Sequence, residues 1–234
     1  MTKIAIIPAR GGSKRIPKKN IKEFLGKPIL AYSIEAALSS KMFDEVMVST
    51  DDEVIAEIAR AYGAKVPFLR TKKHANDYAT LVDVLIEVLG VYKEQDVEFE
   101  FTCCILPTAP FVTGQKINDA FKIMLEKDFD SVFPILEFSY PLQRALQINK
   151  DKVSMVSAKY MNTRSQDLEN RYHDSGQFYW SKTTNLMVNK KLFTNNSGAI
   201  IISELEAQDI DTLTDWKLAE MKYKLMLDHA KNTL

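Results

Sequence analysis

The chain has 234 residues, 46% of them apolar and 26% charged, and its 31 basic residues balance 31 acidic ones. This length suffices for one α/β domain with a buried core, and the composition excludes a disordered or fibrous protein. Because the formal net charge is zero, no overall field favours nucleic acid or an anionic membrane. An anion-binding site must therefore come from local clustering of cations.

Targeting signals are the next feature that the sequence excludes. The first residues, MTKIAII, form an apolar run too short for the core of a signal peptide, and no later run approaches the ~20 apolar residues of a membrane span. We therefore predict a cytoplasmic protein that does not enter the membrane. Cys103 and Cys104 are adjacent in FTCCILP, which predicts two core thiols in a strand instead of a metal site or a disulfide.

The predicted elements alternate between strand and helix through the first 136 residues. Apolar patterns predict strands over 3–7, 45–49, near Val66, 99–106 and 131–136, and helices over 28–38, 51–62, 80–92 and 115–126. Such alternation is typical of βαβ units, which build a mostly parallel central sheet with helices on both faces. We therefore predict an α/β, Rossmann-like fold that binds ligands at the carboxyl ends of its strands.

The alternation stops after Leu136. Residues 137–175 are polar and lack a helical period, so we predict that they form an insertion within a single domain spanning residues 1–234. Strand-like runs at 177–180 and 198–203 then return to the sheet. An amphipathic helix over 215–227 is predicted to follow them.

A basic loop, IPARGGSKRIPKKN, follows the first strand, where a ligand is expected. Gly11 and Gly12 allow backbone amides to approach a phosphate closely, while Arg10, Lys14 and Lys19 are among five cations that surround the pair. The spacing matches neither a P-loop nor a dinucleotide-binding fingerprint. The loop therefore predicts a polyphosphate site of another kind.

The pattern P-A-R-G-G-S-K-x-x-P-x-K-N resembles the signature of the CMP-nonulosonic acid synthetases, the acylneuraminate cytidylyltransferase family, and the resemblance covers nearly the whole chain. It implies the nucleotide-diphospho-sugar transferase fold, with Arg10 and Lys19 as the main cations on the triphosphate and as catalytic residues. The resemblance further implies that CTP is bound by Gly11, Gly12, Ser13, Lys14 and Asn20.

Two further motifs of that family concern the pyrimidine base. The segment RTKKHANDYAT resembles R-x-x-x-x-A-x-D-x-x-[ST], which implies that Arg70, Asp77 and Thr80 bind CTP. LPTAP resembles Q-P-T-S-P and implies the same for Pro107 and Thr108. Leu106, however, stands where the family keeps a base-reading glutamine, so the base must rely more on Arg70, Thr80 or main-chain groups.

Asp209 and Asp211 in DIDTLTDW form a pair at i and i+2. In an extended segment this spacing puts both carboxylates on one side, where they can share a hard cation. Acids also favour the start of a helix, so the spacing alone leaves both interpretations open. The resemblance implies a Mg²⁺ site on Asp209 and Asp211, with Asp211 also catalytic.

The run HDSGQFYW is more similar to the pseudaminic acid branch of the family than to the sialic acid branch, and this implies sugar-acid contacts from Gln177, Phe178 and Tyr179. His173 beside Asp174 is either a proton shuttle or a structural histidine. Arg164 lies where the family places an arginine that reaches the neighbouring subunit's site. The resemblance thus implies a homodimer with the insertion as its dimerisation arm.

The implied reaction is attack of the sugar acid's anomeric hydroxyl on the α-phosphorus of CTP, which yields a CMP-sugar for flagellin or surface glycans and releases pyrophosphate. The sequence does not define the general base. A CMP-legionaminic or CMP-sialic acid synthetase is the first alternative. Another nucleotidyltransferase of the same fold and a non-catalytic nucleotide-binding module are more distant ones.

Overall fold

The computed structural model describes residues 1–232, and the side chains of residues 1–228. The predicted domain extends to residue 234, so its last residues lie outside the described part. Among the described residues, no helix combines the length and the apolar character that crossing a membrane requires.

Strands and helices alternate as far as residue 137, except for an additional hairpin after the first strand and two consecutive helices before residue 101. The first half contains β1 (Lys3–Pro8), β2 (Glu23–Phe24), β3 (Lys27–Pro28), α1 (Ile29–Ser40), β4 (Glu45–Ser49), α2 (Glu53–Ala61), α3 (Leu81–Lys93) and β5 (Phe101–Ile105). The second half contains α4 (Gly114–Glu126), β6 (Ser131–Glu137), β7 (Leu146–Asn149), β8 (Lys152–Met155), β9 (Tyr172–Asp174), β10 (Phe178–Lys182), α5 (Thr183–Asn189), β11 (Ser197–Ile201) and α6 (Leu213–Asn232).

The central sheet has the strand order β11-β6-β10-β5-β1-β4, and β9 also pairs with β6. The pairs β1–β4, β1–β5 and β6–β11 are parallel, whereas β10 runs antiparallel to both of its neighbours. The prediction of a mostly parallel sheet is confirmed. The sequence patterns did not predict the direction of β10, because a short apolar run has the same pattern in a parallel and in an antiparallel strand.

The core lies on both faces of this sheet, which explains the continuous apolar runs in its strands. Ala5 and Ile7 of β1 join the cluster covered by α1, α2 and α4, while Ile4 and Ile6 join the cluster covered by α3 and α5. Side chains alternate between the faces with the period of a strand. The predicted helices on both faces are therefore confirmed.

The adjacent cysteines follow the same alternation. Cys103 packs on the first face and Cys104 on the second, and both are fully buried. Burial raises the pKa of Cys104 to about 12, so this thiol stays protonated at neutral pH. The prediction of core thiols is confirmed.

Several local predictions need correction. The residue that caps α2 is Asp52, whose side chain accepts from the amides of Val54 and Ile55, so the helix begins later than expected. The strand near Val66 is reduced to one bridge between Met47 and Lys65. The hairpin β2–β3 and helix α5 had not been predicted, because elements of two to seven residues give little periodic signal.

The predicted insertion contains the hairpin β7–β8 and ends in β9, which rejoins the main sheet beside β6. On the hairpin, Leu146 pairs with Met155 and Ile148 pairs with Val153. These four side chains share one face of the ribbon, and Leu146, Ile148 and Val153 are each more than 60% exposed. The insertion is thus an amphipathic ribbon with an exposed apolar face.

Candidate active site

The loop after β1 is fixed by close packing at its first glycine. A Cβ built on Gly11 would lie 2.9 Å from the Cβ of Asp52, whereas one on Gly12 would meet nothing within 4 Å. The amide of Gly11 donates to Asp51 Oδ1 at 2.9 Å, and Asn20 Nδ2 donates to the carbonyl of Arg10 at 2.9 Å. Gly11 therefore shapes the loop, while Gly12 lies in open space.

Asp77 brings two of the predicted cations together. Arg10 Nη1 donates to Asp77 Oδ1 at 2.8 Å and to the carbonyl of Asn76 at 3.1 Å, and Lys14 Nζ donates to Asp77 Oδ2. Lys14 first and Arg10 second hold the pKa of Asp77 below its usual value. This carboxylate therefore stays ionised and orients the cations.

A second carboxylate joins the loop to the segment before α6. Asp211 accepts from Arg15 Nη1, and its Oδ1 lies 3.7 Å from Lys19 Nζ, which also donates to the carbonyl of Ile210 at 2.7 Å. Ile210 is buried in the core between Asp209 and Asp211. The loop and the D-x-D segment, far apart in sequence, thus form one site.

Arg70 is almost completely buried, and its guanidinium is held by β4. Nε donates to Ser49 Oγ at 3.0 Å and Nη2 donates to the carbonyl of Ser49. Burial lowers the pKa of Arg70, although nearby Asp51 opposes that shift. Arg70 lines the cleft beside the basic loop, and its hydrogen bonds hold it to β4.

Thr80 also has a structural task. Its hydroxyl caps α3 in a reciprocal capping box with Asp83, accepting from the Asp83 amide at 3.2 Å and donating to Oδ2 at 2.7 Å. Its side chain lies at the edge of the cleft. The hydroxyl is thus positioned by the helix that it caps.

Most of the predicted CTP-binding residues line one cleft of about 250 Å³. Gly11 and Gly12 lie in the loop that borders it. Its wall also contains several residues that the predictions omitted, among them His74 and Asn76, which no motif had marked. The predicted residues in the wall are Arg10, Ser13, Lys14, Lys19, Asn20, Arg70, Asp77, Thr80, Pro107 and Thr108.

A second cavity, of about 570 Å³, is lined by the residue that follows β5. Leu106 lines the second cavity and the next residue, Pro107, lines the first. Asp174, Ser175, Asp209 and Lys222 line the second cavity as well. Lys222 Nζ donates to the carbonyls of Glu204 at 3.1 Å and Ala207 at 2.9 Å, so its ammonium is held in place.

Three of the four predicted sugar-acid residues are buried, and none of the four lines this cavity. Phe178 and Tyr179 are buried in the two core clusters, and the Tyr179 hydroxyl donates to Asp174 Oδ2. Gln177 is also buried, donates to the carbonyl of Glu206 at 2.6 Å, and leaves its Oε1 without a partner among the described residues. Because side chains alternate along β10, Phe178 packs on the opposite face of the sheet from Tyr179.

Neither Arg164 nor His173 is paired with the charged residues of the loop after β1. Arg164 is exposed in the insertion and pairs with Asp167 at 2.9 Å. His173 lines the second cavity, and its Nδ1 lies 2.9 Å from the carbonyl of Asp174 while its ring packs on Phe138. The side-chain carboxylate of Asp174 is engaged by Tyr179 and by the Gly176 amide instead.

The predicted Mg²⁺ site would need ligands from the nucleotide besides the two aspartates. Within the described side chains, no group of three or more acidic, histidine or cysteine residues is arranged to hold a metal. Mg²⁺ is typically held by one or two carboxylates with phosphate oxygens and water. Asp209 has no hydrogen-bond partner for its carboxylate among the described residues, and its neighbour Asp211 faces the cations of the loop.

A mostly parallel sheet with a basic loop at a strand end and a cleft beside it is typical of an α/β protein that binds a nucleotide. The family model described as cytidylyltransferase matches residues 4–228. The chain therefore belongs to the cytidylyltransferase family and is a nucleotidyltransferase.

Curated relatives agree with that assignment. The pseudaminic acid cytidylyltransferase of Campylobacter jejuni is 40% identical over 226 residues, which cover 96% of this chain and 97% of the relative. The CMP-N,N'-diacetyllegionaminic acid synthase of Legionella pneumophila is 33% identical over 226 residues, covering 95% of this chain and 96% of that protein.

Solved structures show the same fold at low sequence identity. A CMP:2-keto-3-deoxy-manno-octonic acid synthetase in complex with CTP has a TM-score of 0.68 at 18% identity, covering 97% of this chain and all of that one. A 4-diphosphocytidyl-2C-methyl-D-erythritol synthase from Anaerococcus prevotii has a TM-score of 0.63 at 14% identity, with coverages of 95% and 98%. The predicted nucleotide-diphospho-sugar transferase fold is confirmed.

Proposed function

We propose that this cytidylyltransferase joins CMP from CTP to a nonulosonic acid, with pseudaminic acid as the first candidate, and releases pyrophosphate. The proposal is supported by the names of the most similar relatives and by the HDSGQFYW segment. A CMP-legionaminic or CMP-sialic acid synthetase is the second candidate, since proteins with those activities are relatives at 33% identity.

The observation that carries the proposal is that two consecutive residues line the two cavities, Leu106 the second and Pro107 the first. One cavity contains the cationic loop and the other contains Lys222, whose fixed ammonium suits the carboxylate of a sugar acid. CTP in the first cavity and an acid in the second would meet at this turn. Holding both reactants in this way supplies much of the acceleration of a bimolecular reaction.

The residues of the loop would act mainly by neutralising charge. In the reaction, a bond forms between the anomeric oxygen and the α-phosphorus, the bond from that phosphorus to pyrophosphate breaks, and the hydroxyl proton is released. Arg10, Lys14 and Lys19 would stabilise the negative charge that grows on the departing pyrophosphate. No nucleophilic side chain is required.

Mg²⁺ is the proposed cofactor, with Asp209 and Asp211 as its protein ligands. The ion would supply charge neutralisation on the phosphates. The two carboxylates flank buried Ile210, which fixes the backbone between them. Asp211 would also hold Arg15 and Lys19 near the phosphates through the ion pairs already present.

Pyrophosphate release tests the proposed function directly. The full chain is assayed with CTP, Mg²⁺ and a panel of pseudaminic, legionaminic and N-acetylneuraminic acids, and the highest turnover is expected with pseudaminic acid. The variant Lys222→Met keeps the aliphatic part of the side chain and loses the ammonium. We expect it to raise KM for the acid about tenfold or more and to leave KM for CTP unchanged. Absence of turnover with every acid would reject the proposal.

A homodimer is the proposed assembly, with a second copy of this chain on the apolar face of the β7–β8 hairpin. Exposed Leu146, Ile148 and Val153 support this, since an apolar ribbon of this kind is typical of an interface. Arg164 would then reach the neighbouring site. Sedimentation of Ile148→Asp tests the assembly: we expect monomers, whereas Gln147→Asp on the polar face should leave the dimer intact.

Two broader proposals depend on the same activity. We propose a cytoplasmic location, because CTP is a cytoplasmic substrate. The CMP-sugar would serve glycosylation of flagellin or of surface polysaccharide, a role supported by the family resemblance.

A further inference from the structure

The recognition of cytosine poses a problem in this chain, because the position of the family's glutamine is taken by Leu106. An aliphatic side chain offers no hydrogen bond to a base, and Leu106 lines the second cavity instead of the nucleotide cleft. The hydroxyl of Thr80 caps α3 and the guanidinium of Arg70 is bonded to Ser49. Among the other polar side chains of the cleft, one that accepts a hydrogen bond can distinguish cytosine from uracil.

The lining of the cleft combines cations with apolar side chains. Arg10, Lys14 and Lys19 suit the phosphates. The apolar part of the lining includes Pro8, Ala79, Leu81, Val84 and Pro107. A planar base fits apolar walls that carry one or two polar groups for orientation, so these side chains suit the base. His74 supplies an imidazole to the same cleft.

The ring of His74 is held by a carboxylate from α3. Its Nδ1 lies 3.2 Å from Glu87 Oε1, and the Glu87 side chain is only 8% exposed. Thr71 donates to the same oxygen from its amide at 3.1 Å and from its hydroxyl. Although burial raises the pKa of Glu87, these hydrogen bonds outweigh it and the pKa lies below its usual value. The carboxylate is thus ionised.

An ionised carboxylate can only accept hydrogen bonds, so the proton of the neutral imidazole belongs on Nδ1. Nε2 then carries a lone pair, and among the described residues it has no hydrogen-bond partner. Cytosine presents an amino group at its 4-position, whereas uracil presents a carbonyl oxygen there. An acceptor at Nε2 attracts the amino group of cytosine and repels the carbonyl oxygen of uracil.

We propose that His74 is the base-reading residue of this enzyme, an inference that rests on the proposed use of CTP. The Nε2 atom of His74 accepts a hydrogen bond from the 4-amino group of cytosine, while Glu87 fixes the ring. His74 would thereby replace the hydrogen-bonding function that Leu106 cannot provide. Glu87 is a positioning residue in this arrangement, since it acts on the nucleotide only through the imidazole.

Binding of CTP and of UTP to the full chain, measured by calorimetry with Mg²⁺ and without the sugar acid, tests this inference. Two variants form a matched pair. His74→Asn retains a donor for Glu87 but is too short to reach the position of Nε2, whereas His74→Gln is long enough to place an amide oxygen there. We expect the ratio of CTP affinity to UTP affinity to fall about tenfold or more in the Asn variant, because CTP alone binds more weakly. The Gln variant should retain part of the preference for CTP.

An Asn variant that folds with an unchanged melting temperature and keeps the wild-type preference would overturn this inference alone. A wild-type chain that binds neither nucleotide would instead contradict the proposed function and the inference with it. The ring ¹⁵N chemical shifts give a second measurement, since the chain has only three histidines. We expect an unprotonated Nε2 in neutral His74, and a protonated Nε2 would overturn the assignment.

Discussion

Arg10 donates a hydrogen bond to Asp77 at 2.8 Å, so the guanidinium expected to meet a triphosphate is paired with a carboxylate of the protein itself. Lys14 shares the same carboxylate. A triphosphate that binds here must compete with Asp77 for both cations, because each cation can neutralise only a limited negative charge. Asp77 therefore orients the loop and opposes the binding of anions.

The variant Asp77→Asn tests that opposition. It keeps the shape of the side chain and removes its negative charge, so we expect pyrophosphate to bind several-fold more tightly at low ionic strength. Calorimetric titration measures the effect, with Asp119→Asn on the exposed surface of α4 as the control. Weaker binding of pyrophosphate to Asp77→Asn would show that Asp77 helps binding more by orienting the cations than it opposes binding by repelling the anion.

The glycine pair of the loop should respond unequally to substitution. Gly11→Ala brings a methyl group within 2.9 Å of Asp52, and we expect it to lower the free energy of unfolding by about 1–3 kcal/mol and to weaken CTP binding. Gly12→Ala meets nothing within 4 Å and should change stability by less than about 0.5 kcal/mol. Chemical denaturation measures both values. Equal effects would contradict the structural role of Gly11.

Lys19 is the cation that joins the loop to the D-x-D segment. We expect Lys19→Ala to lower kcat by about 10²-fold, the scale typical of a lost charge contact in a transition state. Lys122→Ala removes an equal charge from the surface of α4 and serves as the control in the pyrophosphate assay. An unchanged kcat in Lys19→Ala would remove this residue from the active site.

Metal dependence tests the two aspartates separately. Asp209→Asn leaves the ion pairs of Arg15 and Lys19 intact, whereas Asp211→Asn removes their partner. We expect both variants to need about tenfold or more Mg²⁺ for half-maximal activity, because each loses one hard oxygen ligand. Activity titrated with Mg²⁺ measures this. An undiminished response in Asp211→Asn would contradict its role as a ligand.

The ion pair of Glu206 and Lys116, 2.9 Å apart, should give an acid-sensitive contribution to stability. Burial raises the pKa of Glu206, but the hydrogen bond and charge of Lys116 outweigh it, and the pKa lies below its ordinary value of 4.5. The contribution is therefore complete above about pH 4.5 and is lost as the pH falls through the lower, folded-state pKa.

We expect Glu206→Gln to lower the free energy of unfolding by about 1 kcal/mol at pH 7, and by less at pH 3. Thermal denaturation of both proteins across that range measures the difference. A difference that stayed constant with pH would show that the carboxylate charge does not stabilise the fold.

The strands of the sheet and the longer helices were predictable because their signal is local. The run KIAII must be buried on both faces, and Ile4 and Ile6 do face the opposite cluster from Ala5 and Ile7. The loop motif likewise predicts a polyphosphate site from consecutive residues. The insertion was located but its hairpin was not, because a four-residue strand carries too few positions for a clear period.

The sequence by itself determined the class of fold and the basic loop with its candidate residues, since each depends on short runs whose apolar period or spacing has a direct physical meaning. The tertiary structure alone decided which partner each side chain has. Arg10 meets Asp77 across 67 positions, and Asp211 meets Arg15 across 196. Such contacts depend on the order of strands in the sheet and on the paths of loops, and no local pattern encodes those distances.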